Sequence, residues 1–85
     1  MGERFPQFVE VIWDDAQSTA DWVDRDNLPK VPRHVTRGWL IKDDDKEIIL
    51  AATLQMTGGD ALGEVVNILK GMVVERRVMR CRVPG

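Results

Sequence analysis

Asp60-Ala-Leu-Gly-Glu-Val-Val-Asn-Ile-Leu-Lys-Gly-Met-Val-Val-Glu-Arg-Arg-Val-Met-Arg-Cys-Arg82 is the stretch on which the fold class turns. Leu62, Val65, Val66, Leu69, Met72 and Val73 fit the apolar stripe of a helix, with Asp60 placed as a cap. Against that, Gly63 and Gly71 would each cost a helix roughly 1 kcal/mol relative to alanine. The β-branched pairs Val65-Val66 and Val73-Val74 favour extended chain, where branching at Cβ packs well on a pleated surface. The favoured reading is two short strands broken near Lys70-Gly71. One continuous helix over 60–82 is the alternative, and it would make the protein α+β rather than all-β.

Working outward, Phe8 to Trp13 alternates, with Val9, Val11 and Trp13 on one side and Phe8, Glu10 and Ile12 on the other, which predicts a strand with one well-buried face. His34 to Lys42 alternates again, and Gly38 within it predicts a bulge or a close backbone approach. Trp13 and Trp39, grouped with Val9, Val11, Val35 and Ile41, are expected in the core. Glu47 to Met56 is apolar on both faces, as a covered central strand would be. Asp43-Asp44-Asp45 supplies a tight turn between these two segments, which read as a hairpin, and Thr57-Gly58-Gly59-Asp60 marks the next turn.

Between the first two strands lies a polar excursion, residues 14–33, too rich in turn formers and prolines to hold a ladder. A loop of about twenty residues in a compact domain either packs back on the core or carries function. Trp22, Val23 and Leu28 are the residues available to pin it. Five strands with one long early loop suggest a small Src-homology-3-like (SH3-like) barrel, because curling a sheet toward closure protects edges that so short a chain cannot otherwise cover.

The 85 residues are expected to form a single domain, 1–85, with residues 1–7 and 84–85 as flexible ends. Hydrophobic residues make up 44% and charged residues 31%, the balance of a globular chain. A net charge of -2 disfavours indiscriminate attraction to nucleic acid. Charge is nonetheless unevenly spread. Residues 1–60 carry twelve acids and seven bases, residues 61–85 two acids and five bases. Lys70, Arg76, Arg77, Arg80 and Arg82 are therefore candidates for binding an anion or nucleic acid, with a solvated strand as the plainer account. The lone Cys81 leaves no partner for an internal disulfide, and no apolar run approaches the roughly 20 residues of a membrane helix. A cytoplasmic location is the expectation, with no membrane partner.

The catalytic inventory is one Ser (Ser18), one His (His34), one Cys (Cys81) and no Tyr. Those parts do not suggest a nucleophile, base and orienting group held together, so no catalytic residues are expected. One His and one Cys cannot supply four zinc ligands. None of Asp14-Asp15, Asp24-Arg25-Asp26-Asn27 and Asp43-Asp44-Asp45 continues with the alternating oxygens and distal Glu of a calcium loop. Neither metal nor cofactor is expected. Trp22, in an acidic loop beside Asp21, Asp24 and Asp26, is the candidate anchor for a protein partner, against simple pinning of the loop. Self-association through an unclosed sheet edge is left open.

The run Val-Glu-Val-Ile-Trp-Asp-Asp-Ala-Gln-Ser (Val9–Ser18), the following Trp22, Val35-Thr36-Arg37-Gly38-Trp39-Leu40-Ile41, Leu50-Ala51 and Lys70-Gly71-Met72-Val73 together resemble small uncharacterised proteins of tailed bacteriophages. In those proteins a Trp-x-Asp-Ala-x-Ser segment precedes a Gly-Trp-Leu strand and a late Lys-Gly-Met turn. The likeness spans roughly residues 9–78, and Leu69 departs from the proline that tends to precede Lys-Gly-Met. It implies a small barrel and a viral accessory role, with the host cytoplasm or the virion as its setting. The leading expectation is a non-enzymatic protein that engages or inhibits a host protein. A nucleic-acid or nucleotide binder and a small virion structural protein are the alternatives.

Overall fold

The computed structural model describes residues 6–16 and 22–80. Among them, five strands form one antiparallel sheet: β1 (Phe8–Asp14), β2 (Arg33–Asp43), β3 (Glu47–Leu54), β4 (Leu62–Leu69) and β5 (Val73–Met79). Their spatial order is β4-β3-β2-β1-β5. The deciding stretch is therefore two strands, separated by a turn of 3-10 helix at Lys70–Met72, and the single-helix alternative is set aside. The chain is all-β, and the sheet is not closed, because β4 and β5 are both edges.

β2 is the hinge of the architecture. Its first half pairs with β1, from Asp14↔Arg33 to Phe8↔Trp39, and its second half with β3, from Trp39↔Ala51 to Asp43↔Ile48. The handover falls at Trp39, which pairs with both neighbours. At Gly38, just before it, a Cβ would lie 3.0 Å from the Ala51 carbonyl oxygen and 3.2 Å from Leu50 Cβ, so any larger residue would push β2 and β3 apart by a few tenths of an ångström. An extra residue at Ile41 adds a bulge just beyond, and such irregularities bend and twist a strand. The sheet thus curls, bringing the end of β2 across to β5, where the carboxylate of Asp43 meets Lys70 and, at 2.8 Å, Arg76 Nη1.

Inside the curl lie Val9, Val11, Ile48, Leu50 and Ile68, with Trp13, Leu40, Val66 and Val73 packed against them. A fully buried aliphatic side chain contributes roughly 1.5–3 kcal/mol, so each member of so small a cluster is a large share of a typical total of about 5–15 kcal/mol. Two expectations need correction here. Val35, Trp39 and Ile41 do not belong to this core: β1 and β2 pair so that Val9 faces Gly38 and Val11 faces Thr36, which sends Val35 and Trp39 to the opposite surface. There Trp39 packs edge-on against Phe8, ring centroids 5.0 Å apart. Periodicity alone marks alternation without saying which phase points inward. The second correction is that Trp22, Val23 and Leu28 do not pin the long loop, since all three are exposed.

Candidate functional site

Residues 22–31, the described part of the long connection, are exposed throughout. Its base is firmly held. The Asp15 amide donates to the Pro32 carbonyl at 2.9 Å, and Arg33 grips Asp14 with two parallel bonds, Nε to Oδ1 at 2.7 Å and Nη2 to Oδ2 at 3.1 Å. The Arg33 guanidinium lowers the Asp14 pKa, outweighing the opposing effect of desolvation. Trp13 braces the neighbouring rung, its indole Nε1 donating to Thr36 Oγ1 at 2.9 Å while its ring lies 4.9 Å from that of His34.

Beyond this clamp the chain rises as an arm. Trp22 is 102% exposed, Leu28 65%, and Val23 and Val31 are likewise open to solvent. A single turn of 3-10 helix, Arg25–Asn27, gives the arm its only regular structure, closed by the Asn27 amide on the Asp24 carbonyl at 3.0 Å. Asp24 and Asp26 take no ion-pair or hydrogen-bonding partner through their side chains among the described residues, and both are exposed in the same short segment as the apolar groups. Asp21 lies outside the described residues. Four large apolar side chains held in water lose burial energy that a partner surface would return, which distinguishes this segment from an ordinary solvated loop.

The basic candidates are dispersed rather than gathered. Lys70 and Arg76 both bind Asp43, and the two cations hold the Asp43 carboxyl below its usual pKa. Arg77 is on the other face of β5, where it meets Glu10 at 2.7 Å. Arg80 follows β5 and is exposed, and Arg82, like Cys81, lies outside the described residues. Phosphate would have to compete with carboxylates for three of these five cations. Ser18 is also outside the described residues, and His34 Nε2 stands 3.5 Å from Asp15 Oδ2 at the foot of the arm. Among the described residues, no group of three or more His, Cys, Asp or Glu side chains converges closely enough to hold a metal ion, and no helix is long and apolar enough to cross a membrane.

One feature escaped sequence reasoning. Glu10 is 3% exposed, yet its carboxylate is ionically satisfied from both neighbouring strands: Arg37 Nε donates to Oε2 at 2.7 Å and Arg77 Nε to Oε1 at 2.8 Å. The bond from Arg37 is the largest influence on its pKa, and together with Arg77 it overcomes desolvation, so the pKa is lowered. A lone charge between Phe8 and Ile12 on an otherwise apolar face was the available signal, because a carboxylate so placed requires a cation from an adjacent strand. Which cation it would be depends on register, and register is not written in any one segment.

Comparison of the chain with protein-family models, with curated proteins and with solved structures returned no match.

Proposed function

We propose that this chain is a non-enzymatic accessory protein, of tailed-bacteriophage type, that works by binding a host protein through the arm at residues 22–31. The observation that carries the reading is the pairing of a rigidly clamped base with an uncovered tip, where Trp22 and Leu28 present apolar surface beside Asp24 and Asp26. Aromatic side chains in such positions are frequent anchors of protein interfaces, since they bury much area with few rotatable bonds. The acidic neighbours favour a partner surface with basic groups around an apolar pocket.

We infer that the scaffold supporting this reading is of SH3-like barrel type, left open between β4 and β5. The strand order, the long first connection, the glycine corner at Gly38 and the 3-10 turn before β5 all accord with that topology. Fold similarity alone carries no function, so the weight rests on the arm. Recovery of bacterial host proteins on immobilised wild-type chain, compared with Trp22→Ala and Leu28→Ala, tests it. A partner retained by wild type and lost by both variants is expected. Identical recovery on all three would refute the arm as the binding surface. Retention only at low salt, abolished by Arg80→Ala, would instead favour the nucleic-acid reading.

A further inference from the structure

The sheet ends in two open edges, and they are built differently. β4 contains one charged residue, Glu64, which sits in the left-handed region at φ 53°. A non-glycine residue held there is strained and disturbs the regular edge that a second strand would need. β5 carries Val-Val-Glu-Arg-Arg-Val-Met, and Val74 and Val78 on it are 48% and 62% exposed. Its one irregularity is the extra residue Val74 opposite the Ile12/Trp13 step, which leaves Glu75 to Met79 regularly paired with β1 on one side only.

We propose that two copies of this chain associate by antiparallel pairing of β5 with β5 about a two-fold axis at Arg76. A two-fold axis perpendicular to the sheet keeps each face on its own side, so residues opposite one another have numbers of even sum. About Arg76, Glu75 falls opposite the partner's Arg77, and Arg77 opposite the partner's Glu75. Val74 falls opposite the partner's Val78, and the reverse, placing the exposed valines in two cross-strand pairs, one on each side of the axis. A shift of the axis to Glu75 sets two glutamates face to face and valines against arginines. A shift to Arg77 sets two arginines face to face and Glu75 against Met79. Of these three registers, the central one alone gives two Glu75–Arg77 pairs and two valine–valine pairs, and its one like-charge pair, Arg76 with Arg76 on the axis, is the arginine already bound to Asp43. β4 has no counterpart, since a strand with one charge forms no ion pair with itself in any register.

The rest of the structure accommodates this arrangement. Arg77 spends Nε and Nη2 on Glu10 and remains 66% exposed, so its outer N–H groups are available to a second carboxylate. Glu75 has no ion-pair partner among the described residues. The charged row Arg37-Glu10-Arg77 on each copy would continue into the other's Glu75. Arg76, on the axis, is already neutralised by Asp43 at 2.8 Å, so the two facing guanidiniums do not meet as bare charges. A second copy also removes the unpaired β5 edge, the feature that a five-stranded open sheet otherwise leaves exposed.

Sedimentation equilibrium on the wild-type chain should show a concentration-dependent dimer. Glu75→Arg should weaken it by more than about 10-fold, because two attractive cross-strand pairs become two repulsive ones. Val78→Lys should also weaken it, and melting temperatures near wild type would confirm that both variants fold. In a Cys81→Ser background, Arg76→Cys should form a disulfide-linked dimer under mild oxidation, since residues opposite each other at the axis have Cα atoms about 4.5–5.5 Å apart, within disulfide reach. Glu64→Cys on the β4 edge should not. Trp22→Ala should dimerise as wild type does, which separates this interface from the arm. A chain monomeric up to about 1 mM, a dimer indifferent to Glu75→Arg and Val78→Lys, a dimer lost on Trp22→Ala, or cross-linking at Glu64→Cys instead of Arg76→Cys would overturn the proposal.

Discussion

The two connections on either side of β2 both carry aspartates, and those aspartates have opposite fates. In the short one, Asp43-Asp44-Asp45, the first two acids are consumed by structure. Asp43 ties β2 to Lys70 and Arg76, while Asp44 Oδ1 accepts the Lys46 and Glu47 amides at 2.9 and 2.8 Å and Asp44 also meets Lys42. In the long one, residues 22–31, the acids and the large apolar side chains are left to water. A carboxylate within reach of free amides and cations becomes a fastening, whereas one on an arm beyond the sheet stays free to meet another molecule. The tight turn therefore serves stability, and the arm is the surface on which binding is proposed.

That contrast can be broken most forcefully at the apolar foot of the tight turn. Ile48, fully buried and opposite Asp43, should lose about 2–5 kcal/mol of stability on Ile48→Ala, read by chemical denaturation. An intermediate effect is expected in acid. Asp44 has its pKa lowered from 3.8 to about 2, chiefly by the Glu47 and Lys46 amides and then by Lys42. A carboxyl whose pKa is lower in the folded chain stabilises the fold above the unfolded value, and that contribution disappears as pH falls through the folded one. The hairpin should thus weaken between about pH 4 and pH 2, and Asp44→Asn should flatten that part of the stability profile. If the profile is unchanged in Asp44→Asn, the turn is not held as described.

The smallest stability effect belongs to the arm. Trp22→Ala and Leu28→Ala should each leave folding stability within about 0.5 kcal/mol of wild type, because neither side chain is buried. A thermal melt checks this directly. A large loss of stability would mean that the arm folds onto the sheet in solution, and the contrast with the tight turn would vanish.

Much of the fold could be read from the chain itself. The apolar alternation around Val9 and Val11, the acidic turn before Glu47, and the two valine pairs separated by Lys70-Gly71 each set the local backbone, because strand period and turn chemistry act over a few residues. Gly38 likewise signalled a close approach in advance. The candidate arm was legible through Trp22 and its acidic neighbours, although their exposure was not, since Trp22, Val23 and Leu28 could equally have covered the core.

The sequence by itself determined three early extended segments, one long first connection and few catalytic groups, as these follow from local propensity and composition, and it favoured strands over a helix at 60–82 without excluding the helix, a choice that the structure made. Only the tertiary structure decided which phase of β2 points inward, that Glu10 is shared by Arg37 and Arg77, and that Asp43 gathers Lys70 and Arg76. Those outcomes depend on the pairing of segments up to 67 residues apart. A shift of one residue in that pairing would exchange the two faces of a strand while leaving every local preference intact.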